Sequence, residues 1–481
     1  MLRGLTVAGL AATVYYFSWW AQGGRILSPW LAIVLAAAAL YHWTQLFSSW
    51  VIYNSIGRRI PASEPPPNRR PTIDVFVTAC GEDVEMVERT LRAVVEMRGE
   101  HRSWLLDDGA DTRLVELAER LGAGYLTRPG SGDAKAGNVN AALARTDGEL
   151  IVIFDVDHVP EPGFLECTIG YFDDPAIGFV QAMLNFRNET QSWFSRAAAE
   201  TCCDFFNPTS MGMDRLGSAT MIGSNALIRR SALKSIDGYR PGLAEDLATS
   251  IALHAAGWKS AYVAEPLAPG LAPTNVSAWF IQQLKWARGV FEILLVDYPR
   301  LFGKLTWGQR LSYGVRMTYY WAGLATAIHM VFTVGILIGG ARVAVVDLNQ
   351  YLLHLMPLLL VALGIRSAAL RCWRHESVRG RFMWRSLILI HATWPVYSLA
   401  WLMAVMRLPL RFRPTPKGFT STHRWHWLVP QIGAVTMLYG GVIAGLSYPD
   451  TAYPGLLLLF AGLQSIPQFM LLMQSARPVS G

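Results

Sequence analysis

The sequence predicts an α/β domain with a doubly wound, mostly parallel sheet, cytosolic and inserted between transmembrane α-helices. About six spans are expected, with further helices lying along the membrane surface. Three observations predict this fold. Apolar residues crowd into roughly the first 56 positions and those after about 315, leaving a stretch of ordinary soluble composition between them. That stretch alternates strand and helix patterns in βαβα order, which calls for parallel strands with right-handed crossovers. Its apolar strands stop abruptly at acidic residues, as buried parallel strands do where they end at a ligand site.

The chain has 481 residues, of which 52% are hydrophobic and only 16% charged. A soluble domain would carry about a quarter of its residues as charges. The net charge of +7 comes from basic residues clustered beside apolar segments. It reads as membrane-face charge, and nucleic acid is not an expected partner. Cys80, Cys167, Cys202, Cys203 and Cys372 form no C-x-x-C pair and no zinc spacing, which fits a reduced cytosolic setting. Cys202 and Cys203 read as small apolar residues on a helix.

Taken in order, residues 1–57 hold two apolar segments, Leu5–Trp20 and Ser28–Tyr53, the second long enough to cross a bilayer. The first follows Arg3 and also fits a signal peptide. A retained span is favoured, because removing it puts the central domain on the wrong side. Arg58, Arg59, Arg69 and Arg70 place the following end in the cytoplasm. Residues 58–71, with "PASEPPPNRRP", read as a proline-rich linker.

Residues 72–275 are the soluble domain. "IDVFVTA" (73–79) is a strand and Asp83–Met97 an amphipathic helix. "HRSWLLDDG" (101–109) is a strand ending at Asp107-Asp108-Gly109. Thr112–Leu121 is a helix, "GAGYLTR" a strand, and Ala134–Arg145 a helix opened by "DAKAGNVN". The centre is "ELIVIFDVDHVPEPG" (149–163), whose apolar run Leu150–Phe154 ends at Asp155-Val156-Asp157. Two carboxylates at that spacing can share a divalent cation that bridges nucleotide phosphates. Read alone, the stretch is equally a solvated turn. Thr78 to Glu82, Asp107-Asp108, and Asp155 with Asp157 all converge on one sheet edge.

"ATMIGSNALIRR" (219–230) is expected to be a strand with a tight bend at Gly223-Ser224. "GLAEDLATSIALHAAGWKSAYV" gives a helix with Glu245-Asp246 in its first turn, which capping and the helix dipole explain without any function. Residues 276–315 read as interfacial helices, led by "SAWFIQQLKWARGVFEILL". From 316 to 481 the apolar runs are Tyr319–Gly339, Tyr351–Leu363, Met383–Met406, Trp427–Leu446 and Tyr453–Met473. Met383–Met406, interrupted by Pro395, is expected to lie along the interface. The basic stretches 366–381 and 407–424 then both fall inside, and both termini are cytoplasmic.

The ordered motifs "LLDDG", "DAKAGN", "FDVDH", "AED" and "QQLKW", on a domain between spans, resemble a processive family 2 glycosyltransferase of the cellulose synthase catalytic subunit type. "FRPTPKG" (412–418) is similar to that family's gating-loop motif. The resemblance covers about residues 70–425 and implies a GT-A-type fold. It implies that Asp108, with Asp107, holds the uracil and ribose of a UDP-sugar, and that Lys135 meets the diphosphate. Thr78, Glu82, Asn138 and Lys285 fall to the same nucleotide-sugar site. Asp155 and Asp157 are implied ligands of Mg2+, with Mn2+ as the alternative, and Asp246 the catalytic base. Gly223, Ser224, Glu245, Gln282 and Trp286 are implied acceptor-site residues, Trp286 being the platform for the acceptor sugar. Phe412, Thr415 and Lys417 match the gating loop. The implied partners are a UDP-sugar, a growing glucan, the lipid bilayer and a periplasmic or accessory subunit. The implied location is the inner (plasma) membrane.

The chain departs from the pattern in three places. Ala244-Glu245-Asp246 stands for T-E-D, and Lys285 replaces a planar, bidentate arginine with a point charge. Met221-Ile222-Gly223-Ser224-Asn225 stands for F-F-C-G-S. The family's common C-terminal PilZ domain, which binds cyclic di-GMP, is expected to be absent. The implied chemistry is one in-line displacement that inverts an α-linked donor to a β-glycoside. Three other readings stay open: transfer of one sugar to a lipid carrier, a transporter or scaffold on an inactive transferase fold, and a synthase using UDP-N-acetylglucosamine. Hexose and linkage are open too.

Overall fold

In the computed structural model, residues 1–57, 71–339, 343–371, 383–410, 425–446 and 454–477 are described. A seven-stranded sheet forms the centre: β1 (Ile73–Ala79), β2 (Arg102–Asp107), β3 (Gly124–Thr127), β4 (Leu150–Asp155), β5 (Ile177–Ala182), β6 (Ala226–Arg229) and β7 (Lys259–Val263). Their order is β3-β2-β1-β4-β6-β5-β7. The first four are mutually parallel, β5 pairs parallel with β7, and β6 runs antiparallel between β4 and β5.

The strand sequences are near-continuous apolar runs because both sheet faces are covered. Val75, Val77, Val152 and Phe154 pack against Val87 and Leu91 of helix Val84–Val95 and Leu114 and Leu117 of helix Thr112–Leu121. The intervening Phe76, Ile151 and Ile153 face Val139 of helix Ala134–Leu143 and Leu253 of helix Glu245–Ala255. This is the expected two-sided, mostly parallel arrangement, in which β6 is the reversed strand. Strand pattern marks only Ala226–Arg229 of the expected 219–230, because residues 219–225 fold into an irregular bend.

Helix Val276–Leu295 follows the sheet. Its Trp279, Phe280, Gln282, Gln283 and Phe291 are all buried. Trp279 Nε1 donates to Thr393 Oγ1 at 2.9 Å, and Tyr397 Oη donates to Gln283 Oε1 at 2.9 Å. The helix is thus enclosed between the sheet domain and the segment around Thr393.

Among the described residues, five helical stretches are long and apolar enough to cross a membrane: Pro29–Asn54, Trp307–Gly339, Leu348–Leu370, Trp425–Leu446 and Gly455–Ser475. A sixth is reached only if Trp384–Ala392 and Trp394–Val405, bent by 46° to each other, count as one. The break falls at Thr393, just ahead of Pro395, where proline disfavours helix in the residues before it. The expected six counted Leu5–Trp20 instead. That helix forms as Leu2–Trp20, with Arg3 in its first turn, and packs on helix Leu348–Leu370 through Ala12 and Tyr16. The run expected at Tyr319 begins earlier, at Trp307. The proline-rich linker at 58–70, most of the basic stretch 366–381 and the loop 411–424 lie outside the described residues.

The domain also grips the bent pair directly. Glu200, buried on helix Trp193–Asp204, accepts from the backbone N–H groups of Arg385 (3.0 Å) and Ser386 (3.3 Å) and from the Arg385 guanidinium (2.9 Å). A carboxylate at the first turn of helix Trp384–Ala392 satisfies its unpaired donors and its dipole.

Candidate active site

One cavity of about 500 Å3 opens at the carboxyl ends of β1, β2 and β4. Thr78, Glu82, Asp108, Lys135, Asn138, Asp155, Asp157, Gly223, Glu245, Asp246, Gln282, Lys285 and Trp286 all line it. The cavity then runs on past Arg316, Tyr319 and Tyr320 to Gln45, Ser49 and Tyr53 of helix Pro29–Asn54.

Two of the expected residues stand behind the wall. Asp107 is fully buried. Its carboxylate accepts from the backbone N–H of Gly109 (2.7 Å) and Asp111 (2.8 Å) and from the Tyr125 hydroxyl (2.9 Å). It therefore shapes the turn after β2 instead of facing a ligand. Ser224 is also fully buried; its hydroxyl accepts from Asp155 N at 3.1 Å and donates to Asn225 Oδ1 at 3.0 Å. It holds the end of β4.

On the β2 side, both Asp108 oxygens are bound by Arg128, at 2.7 and 3.0 Å. Asn138 Nδ2 donates to Leu106 O at 3.2 Å. Glu82 accepts from Cys80 N at 2.5 Å, and its carboxyl is raised above the usual carboxylate range by burial, with the charges of Asp155 and Asp157 adding to it.

Asp155, Asp157 and His158 form the one group, among the described residues, with metal-ligand geometry: their ligating atoms all lie within 4.8 Å of one another. His158 Nδ1 stands 3.8 Å from Asp155 Oδ2 and 3.9 Å from Asp157 Oδ1. Asp157 is held by Leu271 N, which donates to Oδ2 at 3.1 Å, and by Arg187, which donates to its carbonyl at 2.6 Å. Two carboxylates and an imidazole on rigid backbone fit a divalent cation. Lys135 Nζ pairs with Asp155 Oδ1 and donates to Gly223 O at 2.5 Å. Burial opposes Asp155's charge, but Lys135 and His158 outweigh it and hold the carboxyl below its ordinary value.

Opposite stands the carboxylate pair at the start of helix Glu245–Ala255. A Cβ placed on Gly223 would lie 3.7 Å from Lys135 Nζ, 3.8 Å from Glu245 Oε1 and 3.9 Å from Asp246 Oδ2. Three charged groups thus converge on one backbone position, where φ is +88° and glycine alone is at ease. The bend is pinned from below by Gln181 at the end of β5. Its Nε2 donates to Ser224 O (2.9 Å) and Asn225 O (3.1 Å), and its Oε1 accepts from Ile222 N (3.1 Å). Burial pushes the Glu245 carboxyl up to about 7, with Asp246's charge adding to it. Asp246 is also raised by burial, against the opposing pull of Arg316 and Lys135. Asp246 Oδ1 accepts from Leu247 N at 2.7 Å, a first-turn donor of its own helix, and the residue also lines the cavity.

Gln282, Lys285 and Trp286 reach the site because helix Val276–Leu295 crosses the start of helix Glu245–Ala255 at Gly289. Phe412, Thr415 and Lys417 lie outside the described residues. Sequence reasoning missed His158, Arg128, Gln181 and Arg316. His158 had a signal, standing directly after the D-x-D pair; the other three are common residue types that no local pattern marks.

Comparison with known proteins adds to this geometry. A model of "Glycosyltransferase like family 2" matches residues 70–289, and one of "Cellulose synthase" matches residues 233–387. "Cellulose synthase 1" of Komagataeibacter xylinus is 32% identical over 374 residues, 75% of this chain and 24% of the relative. The "Cellulose synthase catalytic subunit [UDP-forming]" of Pseudomonas fluorescens (strain SBW25) is 30% identical over 440 residues, 88% of this chain and 57% of the relative. The chain thus spans a quarter to just over half the length of these relatives. In fold it is similar to a mannosyltransferase of Pyrobaculum calidifontis solved with GDP-Man and Mn2+, with a TM-score of 0.52 at 16% identity over 79% of this chain and 100% of the other.

Proposed function

The chain carries a glycosyltransferase family 2 domain continuous with a cellulose synthase region, and from that premise we propose that it is a membrane-embedded, processive, inverting hexosyltransferase. In this reading it polymerises UDP-glucose into a β-glucan, cellulose with β-1,4 linkages, and passes the chain across the inner membrane. The domain over residues 72–275 works on the cytoplasmic side. An accessory or periplasmic subunit receives the product.

The observation that carries the reading is the continuity of the cavity. It joins the metal-ligand trio, the Glu245–Asp246 pair and Trp286 to Gln45, Ser49, Tyr53, Tyr319 and Tyr320 of two candidate spans.

Asp246 takes the proton of the acceptor hydroxyl, and its raised pKa suits it to base work nearer neutral pH. The acceptor oxygen bonds to the anomeric carbon as that carbon's bond to the diphosphate oxygen breaks, and UDP leaves. Attack from the face opposite the leaving group inverts the centre. Lys135 and Lys285 bring positive charge to the departing diphosphate. Asp155, Asp157 and His158 would hold a divalent cation, Mg2+ with Mn2+ as the alternative, which would supply positive charge to offset that of the diphosphate. Trp286 offers its face to the apolar C–H surface of the acceptor sugar.

The test is linkage analysis of product made by the purified protein from a panel of radiolabelled UDP-sugars. The expected result is a polymer from UDP-glucose alone, degraded by a β-1,4-glucanase. A product one sugar longer than a lipid acceptor, with no polymer, overturns the reading.

A further inference from the structure

Arg128 does not line the cavity, yet it binds three parts of the site's scaffold. It sits just after β3, with its side chain 11% exposed. Its guanidinium grips both oxygens of Asp108, at 2.7 and 3.0 Å. The same group donates to the carbonyls of Gly132 (2.7 Å) and Ala134 (2.8 Å). One planar fork thus ties the end of β2 to the turn that starts helix Ala134–Leu143.

That turn needs tying. Asp133 and Ala134 both adopt left-handed backbone, at φ +59° and +43°, although neither is glycine. Two successive Cβ-bearing residues in that region do not persist unless their surroundings hold them. No side chain caps the helix at Asp133. Arg128 supplies the hold, by donating to one carbonyl of the strained pair and to one just before it. The strain has a product: Lys135, the next residue, is aimed back at Asp155 and Gly223 O. The packing is close enough that a Cβ on Gly137 would collide with Arg128 Nη1 and Gly132 O.

We propose that Arg128 is a positioning residue: its contacts with Asp108, Gly132 O and Ala134 O hold the strained 133–134 turn so that Lys135 is set for the donor diphosphate. Arg128 touches no reacting atom itself. A lysine keeps the charge opposite Asp108, but its single ammonium cannot span three acceptor groups in one plane. The inference rests on the nucleoside-diphosphate reading of the site and adds to it how the diphosphate grip is built.

The experiment compares UDP and uridine binding to the full-length protein in detergent, for wild type, Arg128→Lys, Gly137→Ala and the double variant Arg128→Lys/Ala134→Gly. Wild type is expected to prefer UDP strongly. Arg128→Lys is expected to lose about tenfold of that preference, a change of about 1.4 kcal/mol, with uridine affinity nearly unchanged. Gly137→Ala, which keeps the arginine but crowds it, is expected to lose the preference in the same direction. Glycine at 134 removes the steric reason for the clamp, so the double variant is expected to regain part of it. A purely structural role lowers uridine and UDP affinity together and is not rescued by glycine; either result overturns the proposal, as does an unchanged ratio in Arg128→Lys. If Arg128→Lys does not fold, Gly137→Ala decides by the same ratio. Failure of wild type to bind UDP sinks the underlying reading, a distinct outcome.

Discussion

Gly289 and Ala244 meet backbone to backbone: a Cβ on the glycine would lie 2.7 Å from the Ala244 amide nitrogen. This contact sets the distance between the helix carrying Gln282, Lys285 and Trp286 and the helix carrying Glu245 and Asp246. Gly289→Ala must either push those helices apart or pay a packing cost of about 1–3 kcal/mol. The expected outcome is a fall in polymer synthesis of tenfold or more, with UDP affinity within about threefold of wild type. Retained synthesis with an unchanged melting temperature contradicts this account.

Asp246→Asn should abolish polymer synthesis, by a factor of at least about 100, while leaving UDP binding nearly intact. Asp246 also accepts from Leu247 N, and asparagine keeps an oxygen for that first-turn bond. Substantial remaining activity would mean that this helix-end contact is its whole role.

The pH profile follows from the same pair. Burial raises both carboxyls, Glu245 to about 7. A raised pKa keeps a base protonated, and so idle, to higher pH than a free carboxylate would be. Synthesis should therefore climb with pH through the mildly acidic range and level off above it. The two groups titrate as a unit, so Glu245→Gln, which removes the like charge, should move that limb to lower pH. A limb that stays put in Glu245→Gln, measured as kcat/KM against pH, contradicts the coupling.

Chelating divalent cations should stop synthesis, and Mg2+ or Mn2+ should restore it. His158→Ala should raise the metal concentration for half-maximal activity by about tenfold or more, as loss of a metal-site residue does. An unchanged requirement leaves Asp155 and Asp157 as the only candidate ligands of the trio.

Trp286→Ala should sharply lower polymer yield but spare slow hydrolysis of UDP-glucose, because the donor-side residues stay in place. Normal polymer from this variant argues for a lipid-carrier transferase, with Trp286 serving only as an anchor.

Much of the fold was legible because each local pattern agreed with its surroundings. "IDVFVTA" is β1 end to end, and Thr112–Leu121 is a helix with the expected limits. Its cap Asp111 and left-handed Gly122 are both local signals. The reversed β6 was not legible, since an apolar run of four residues says nothing about strand direction. Likewise, Asp107 and Asp108 look alike in "LLDDG"; what separates them is Tyr125 and Arg128, which come from β3 and the turn after it. The break near Pro395 could be read from the sequence, while the helices that pass on length and hydropathy include Pro29–Asn54 and not Leu2–Trp20.

The reversal of β6 also decides where a long segment of chain is allowed to go. Had β6 run parallel to β4, the chain leaving β5 would have had to cross back to the opposite rim of the sheet before starting it. Running antiparallel, it enters β6 from the rim where β4 and β5 end. Residues 183–225 can therefore stay on one side throughout. They hold Glu200 at the first turn of helix Trp384–Ala392 and deliver Gly223 to Lys135 without a return trip. One strand's direction makes the wall of the catalytic chamber and the bracket that fastens the domain to its neighbouring helices a single uninterrupted ribbon.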